Sequence, residues 1–236
     1  MTRFASMVSA LSLALVVPMS AKAATLFSQT YTGAEFAALA TLGPNATQSV
    51  SGNSVTYGMT SHYATLAEFY ALSPGARGDM TFSVTINYDA LTNDNDMAFG
   101  FTDGSGIIGA MQADNGSGTL YVLNGSPSNL SAIQNGTGFS NQISATFTVA
   151  DGSGPATLSY TNGSYSVSDL PLSSTFDTDG VLGFALYGNN KNESYRINSV
   201  ALEFATMAAV PLPAGGMLLL TGLLGTAAVR RRRRKS

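Results

Sequence analysis

The chain has 236 residues, with no cysteine, no tryptophan and one histidine, and a formal charge of −3. Those counts exclude a disulfide framework, a thiol nucleophile and a histidine-based metal cluster. Eight of the eleven Lys/Arg lie at positions 3, 22 and 230–235, so residues 24–209 hold three cations against fourteen carboxylates, a balance of −11 that offers no cationic face to nucleic acid or anionic lipid.

Residues 1–23 read as a secretory signal peptide. Arg3 supplies the positive n-region, and the apolar stretch from Met7 to Val17 is too short to span a bilayer. Ala21-Lys22-Ala23 places small residues at the two positions a signal peptidase reads, so cleavage is expected after Ala23. Everything after it is then exported.

Leu26–Tyr31 alternates weakly, as a first edge strand does. Glu35–Leu42 is a short helical candidate, ended by Gly43-Pro44-Asn45. Ser54–Thr60 and Tyr63–Leu72 fit strand or helix equally well. Met80, Phe82, Val84, Ile86 and Tyr88 then alternate with polar residues, the period-two mark of one buried and one wet face. Shorter strands follow at Met97–Phe101, Gly106–Gln112 and Thr119–Leu123. Ile143, Ala145, Phe147 and Val149 repeat the alternation. Ala156–Thr161 and Ser164–Ser168 flank Asn162-Gly163 as a hairpin. Val181–Tyr187 is a continuous apolar run suited to a central strand, and Tyr195–Phe204 closes the body.

Asn-Gly occurs at 115, 124, 135 and 162, and Asp-Gly at 103, 151 and 179. These pairs accept the positive φ of tight hairpin turns, so the seven signals predict antiparallel sheet. No strand–helix–strand alternation is present. The expected fold is all-β: an antiparallel β-sandwich of jelly-roll type over residues 24–204, with 205–209 as linker. Val181–Phe204 is similar to the closing strands of concanavalin A-like lectin and glucanase sandwiches. That resemblance implies the same architecture.

The last segment has three parts: Val210-Pro211-Leu212-Pro213-Ala214, an uncharged apolar stretch from Leu212 to Val229, and Arg230, Arg231, Arg232, Arg233, Arg234 and Lys235. Eighteen helical residues rise about 27 Å, a little short of the bilayer core, and arginines snorkel to cover the rest. The cationic cluster marks the cytoplasmic end. This tail resembles the VPLPA variant of the PEP-CTERM sorting signals of Gram-negative bacteria. The resemblance covers residues 210–236. It implies a transmembrane helix held briefly in the inner membrane, with Val210–Ala214 as the motif read by an exosortase-like membrane peptidase or transferase and Arg230–Arg234 as the membrane stop. The plain alternative is a permanent single-span anchor.

Catalytic chemistry is poorly provided for. His62 is alone. Glucanases of the resembled fold carry Glu-x-Asp-x-x-Glu, whereas Glu35, Glu68, Glu193 and Glu203 stand at no such spacing. Asp94, Asp96 and Asp103 form a candidate calcium set of hard oxygen ligands, with Asp177 and Asp179 as a second; Asp/Asn turn chemistry is the competing reading of both. No other cofactor is implied. Tyr121, Tyr160, Tyr165, Tyr187 and Tyr195 lie near expected strand ends, where a ring can serve as a sugar platform or as core. The sequence thus points to an exported, non-enzymatic protein of the cell surface or extracellular matrix, binding polysaccharide. Its rivals are a polysaccharide hydrolase or lyase and a ligand-free coat protein.

Overall fold

The computed structural model describes residues 23–62, 64–90, 95–104, 107–114, 119–124, 130–135, 141–150, 156–162, 165–172, 177–188 and 194–207. Ala21, Asp94, the Val210–Ala214 motif and Arg230–Arg234 lie outside the described residues. Among the described residues no helix is long and apolar enough to cross a membrane; the 212–229 stretch is not among them.

In chain order the elements are β1 (Thr25–Thr32), α1 (Gly33–Leu39), β2 (Thr41–Leu42), β3 (Ala46–Ser51), β4 (Ser54–Met59), β5 (Ala64–Leu72), β6 (Met80–Ala90) and β7 (Asn95–Thr102). There follow β8 (Ile107–Asp114), β9 (Thr119–Asn124), β10 (Leu130–Asn135), β11 (Gln142–Val149), β12 (Thr157–Asn162), β13 (Tyr165–Pro171), β14 (Leu182–Gly188) and β15 (Ser194–Thr206). They make two antiparallel sheets. One runs β13-β12-β11-β6-β15-β4-β3, with β1 also on β15; the other runs β10-β9-β8-β7-β14-β5-β2. This is the expected sandwich.

The alternation read from the sequence is the packing. Met80, Phe82, Val84, Ile86 and Tyr88 of β6 are buried, as are Ile143, Ala145, Phe147 and Val149 of β11. Phe101 sits where the sheets interdigitate. Its ring centroid lies 5.3 Å from Phe147, 5.3 Å from Phe204 and 5.7 Å from Phe184, each edge-on, and 5.1 Å from Phe82. Such pairs add about 0.5–1.5 kcal/mol beyond their buried area. β14 is buried on both faces, which is why its seven residues read as one apolar run.

Both ambiguous segments are strands. β4 alternates strictly, with Val55, Tyr57 and Met59 inside. β5 has irregular registers with β14 at Leu182/Gly183 and Leu186/Tyr187, and these bulges blur its period. The helix begins at Gly33 rather than Glu35, because Thr32 and Glu35 form a reciprocal capping box: Thr32 N–H donates to Glu35 Oε2 at 2.8 Å and Glu35 N–H to Thr32 Oγ1 at 3.2 Å. It ends before Ala40, which is already extended. Gly52, at φ +59, turns β3 into β4 across two residues.

Asp179-Gly180 is a correction. It makes no hairpin; it lies in the segment that leads from β13 in one sheet to β14 in the other.

Candidate functional site

β7, β14 and β5 lie side by side in the seven-stranded sheet. Leu182, Phe184 and Leu186 face the core, so period two turns Gly183, Ala185 and Tyr187 to the outer face. Register places Tyr70, Gly183 and Thr102 in one row, and Glu68, Ala185 and Gly100 in the next. A third row holds Thr65, Tyr187 and Ala98.

Among the described residues, Tyr70 is the exposed aromatic of this face, 45% accessible. A Cβ on Gly183 would stand 2.7 Å from Tyr70 Cδ1 and 2.6 Å from the Phe69 carbonyl, so only glycine lets the ring lie that close to the strand. Burial pushes the Tyr70 phenol up; the Glu68 carboxylate, which accepts its hydrogen bond, and the nearby Asp103 push it further. Tyr187, 7% accessible, is raised by burial and then by Glu68 and Tyr70. A half-exposed ring and two carboxylates thus share one patch; Thr102, in the same row, is buried, and its hydroxyl accepts from Gly104 N–H at 3.1 Å.

The Asp103 rim is built by two connections. Asp177 N–H donates to Asp103 Oδ2 at 2.9 Å, and Asp179 N–H donates to Asp177 Oδ1 at 2.9 Å. Arg77 N–H donates to Asp179 Oδ1 at 2.7 Å. The Arg77 guanidinium donates to the carbonyls of Thr178 at 2.7 Å and Gly180 at 2.9 Å, and also to that of Ser73. Thr178 is fully buried and donates to the Gly78 carbonyl at 2.7 Å. These carboxylates cap main-chain N–H groups, which is turn chemistry.

Of the calcium set, Asp94 lies outside the described residues and the side chain of Asp96 is not described. By backbone position, Asp96 is the second residue of β7 and Asp103 follows the strand's end, about 20 Å away at the rise of an extended strand. They cannot share one ion, and among the described residues no group of three or more His, Cys, Asp or Glu could hold a metal. For the tyrosines, the core alternative holds where the side chains are described. Tyr160 and Tyr195 are core residues, and Tyr187 is covered. The side chains of Tyr121 and Tyr165 are not described. His62 is exposed between β4 and β5.

Tyr70 was missed, although the sequence carries its signal. In any strand Phe69 and Tyr70 must face opposite ways, and one of them must point outward.

No family model and no curated protein matches the sequence. Solved structures do. Peanut lectin, solved with a nine-residue peptide, superposes with a TM-score of 0.51 at 9% identity, over 80% of this chain and 100% of that one. A lectin from Bauhinia forficata in complex with GalNAc gives 0.48 at 12% identity, over 76% and 98%. Lectin II from Ulex europaeus gives 0.47 at 12% identity, over 76% and 99%. The peanut lectin likeness bears on the fold alone: the described strands form an antiparallel β-sandwich of the kind that lectin has.

Proposed function

We propose that this chain is an exported, non-enzymatic glycan-binding protein of the bacterial surface or extracellular matrix, with Tyr70 as its sugar platform. The observation that carries the reading is the half-exposed Tyr70 ring over Gly183, beside Glu68 and Asp103. An aromatic face takes the apolar side of a pyranose, and carboxylates accept from its hydroxyls. The lectin-like sandwich is consistent with such a role. Delivery rests on the sequence: Ala21-Lys22-Ala23 at one end, and Val210–Ala214 followed by Arg230–Lys235 at the other. An exosortase-like enzyme would remove the tail and pass the protein outward.

Two measurements test this. The full chain, offered a polysaccharide panel that includes the producing cell's own matrix, should bind one class saturably without releasing reducing ends. Release would move the assignment to a hydrolase or lyase. Intact mass of the surface-exposed protein should lack Arg230–Lys235; a surface species that keeps them contradicts sorting.

A further inference from the structure

The eight-stranded sheet turns a differently built face to solvent. Cross-strand rows there read Ser144–Thr85–Ala201–Thr30 and Thr146–Ser83–Glu203–Ser28. Hydroxyls on neighbouring strands recur about every 4.8 Å. Two pairs hold one another: Thr85 Oγ1 and Ser144 Oγ at 2.8 Å, Ser83 Oγ and Thr146 Oγ1 at 3.1 Å. At Ala201 the hydroxyl row is broken by a methyl group. The dip it leaves, about 140 Å³, is walled by Ser28, Thr30, Ser83, Thr85 and Glu203. Thr25 Oγ1 donates to Glu203 Oε1 at 3.5 Å from the side.

The dip is well below the roughly 300–1,000 Å³ of a pocket that encloses a whole ligand. It takes one functional group of something larger. Its lining offers hydroxyls and one carboxylate, and no cation. Arg77 is committed to carbonyls and Arg196 pairs with Asp89 at 3.7 Å. The exported body as a whole carries three cations against fourteen carboxylates. A protonated amine is the group that such a hollow selects: the carboxylate neutralises it, and the serine and threonine oxygens accept its remaining N–H bonds. The net field draws polycations to the surface.

We infer that the trough around Glu203 is a subsite for a protonated amine; taken with the glycan-binding reading above, on which the choice of polymer rests, its occupant is a deacetylated amino-sugar polymer. The trough lies on the sheet opposite Tyr70 and is independent of that site.

The test titrates the full-length chain in detergent with glucosamine oligomers and with N-acetylglucosamine oligomers of equal length, at low salt. The amine oligomer should bind more tightly. Glu203→Gln should weaken it about threefold to fivefold, the scale of an exposed ion pair. Ala201→Thr, which fills the dip while suiting a strand, should weaken it comparably. Tyr70→Ala should leave the amine preference intact, so failure of the Tyr70 site and failure of this one are separable. Asp169→Asn removes one charge from another part of the same sheet and should have little effect. Equal binding of the two oligomers would overturn the inference. So would equal losses in Glu203→Gln and Asp169→Asn, since that is the signature of net charge alone.

Discussion

The main-chain N–H of Arg77 donates to the Asp179 carboxylate at 2.7 Å, joining two segments that cross between the sheets. One leads from β5 to β6 and the other from β13 to β14. The guanidinium then ties down the Thr178 and Gly180 carbonyls, and the chain of carboxylate caps ends on Asp103, beside Tyr70.

Asp179→Ala should therefore lower stability by about 1–3 kcal/mol, the range for losing a part-buried hydrogen bond to a charged group. Arg77→Lys should lose stability too, because an ammonium cannot span two carbonyls with a planar fork. Urea unfolding followed by tyrosine fluorescence measures both; the chain contains no tryptophan to mask the signal.

Phe101→Ala should cost about 3–5 kcal/mol, the largest loss expected of a single core truncation. The ring meets Phe82, Phe147 and Phe204 of one sheet and Phe184 of its own. No small rearrangement fills a void shared by both sheets. The midpoint of urea unfolding reports the loss directly.

The protein should destabilise in alkali. Burial raises Tyr160 to about 12, and raises Tyr57 and Tyr187 further, from the ordinary 10.0. The folded state therefore holds these protons more tightly than the unfolded chain does. Their stabilising contribution is complete below pH 10 and is lost as pH rises through 12 and beyond. Melting temperature should be flat to pH 10 and then fall, in step with tyrosinate absorbance.

Tyr57→Phe should stabilise by about 1–3 kcal/mol. Its hydroxyl is buried with no hydrogen-bond partner, while its ring is fully packed. Calorimetric melting of the variant should show the rise at neutral pH, together with a shallower alkaline fall.

Where one strand face is buried and the other wet, the fold was legible. β6 and β11 announced themselves by period two, and β14 by the unbroken run that two covered faces require. β3 was silent because Ala46–Ser51 is an exposed edge with no face to bury. β5 was ambiguous because two bulges interrupt its alternation. The site was less legible than the fold. Tyr70, Gly183 and Thr102 are far apart in sequence and meet only through the order β7-β14-β5, which local pattern does not encode. Asp179-Gly180 carries hairpin chemistry, yet a distant arginine recruits it to a crossover.

The most direct test of the account is calorimetric titration of the full chain and its Tyr70→Ala variant with the polysaccharide selected from the panel. The native protein should bind saturably and the variant should lose roughly tenfold or more in affinity, on the scale of a buried aromatic contact, while still unfolding cooperatively. Equal affinity in the two proteins would contradict it and remove Tyr70 from any role in recognition.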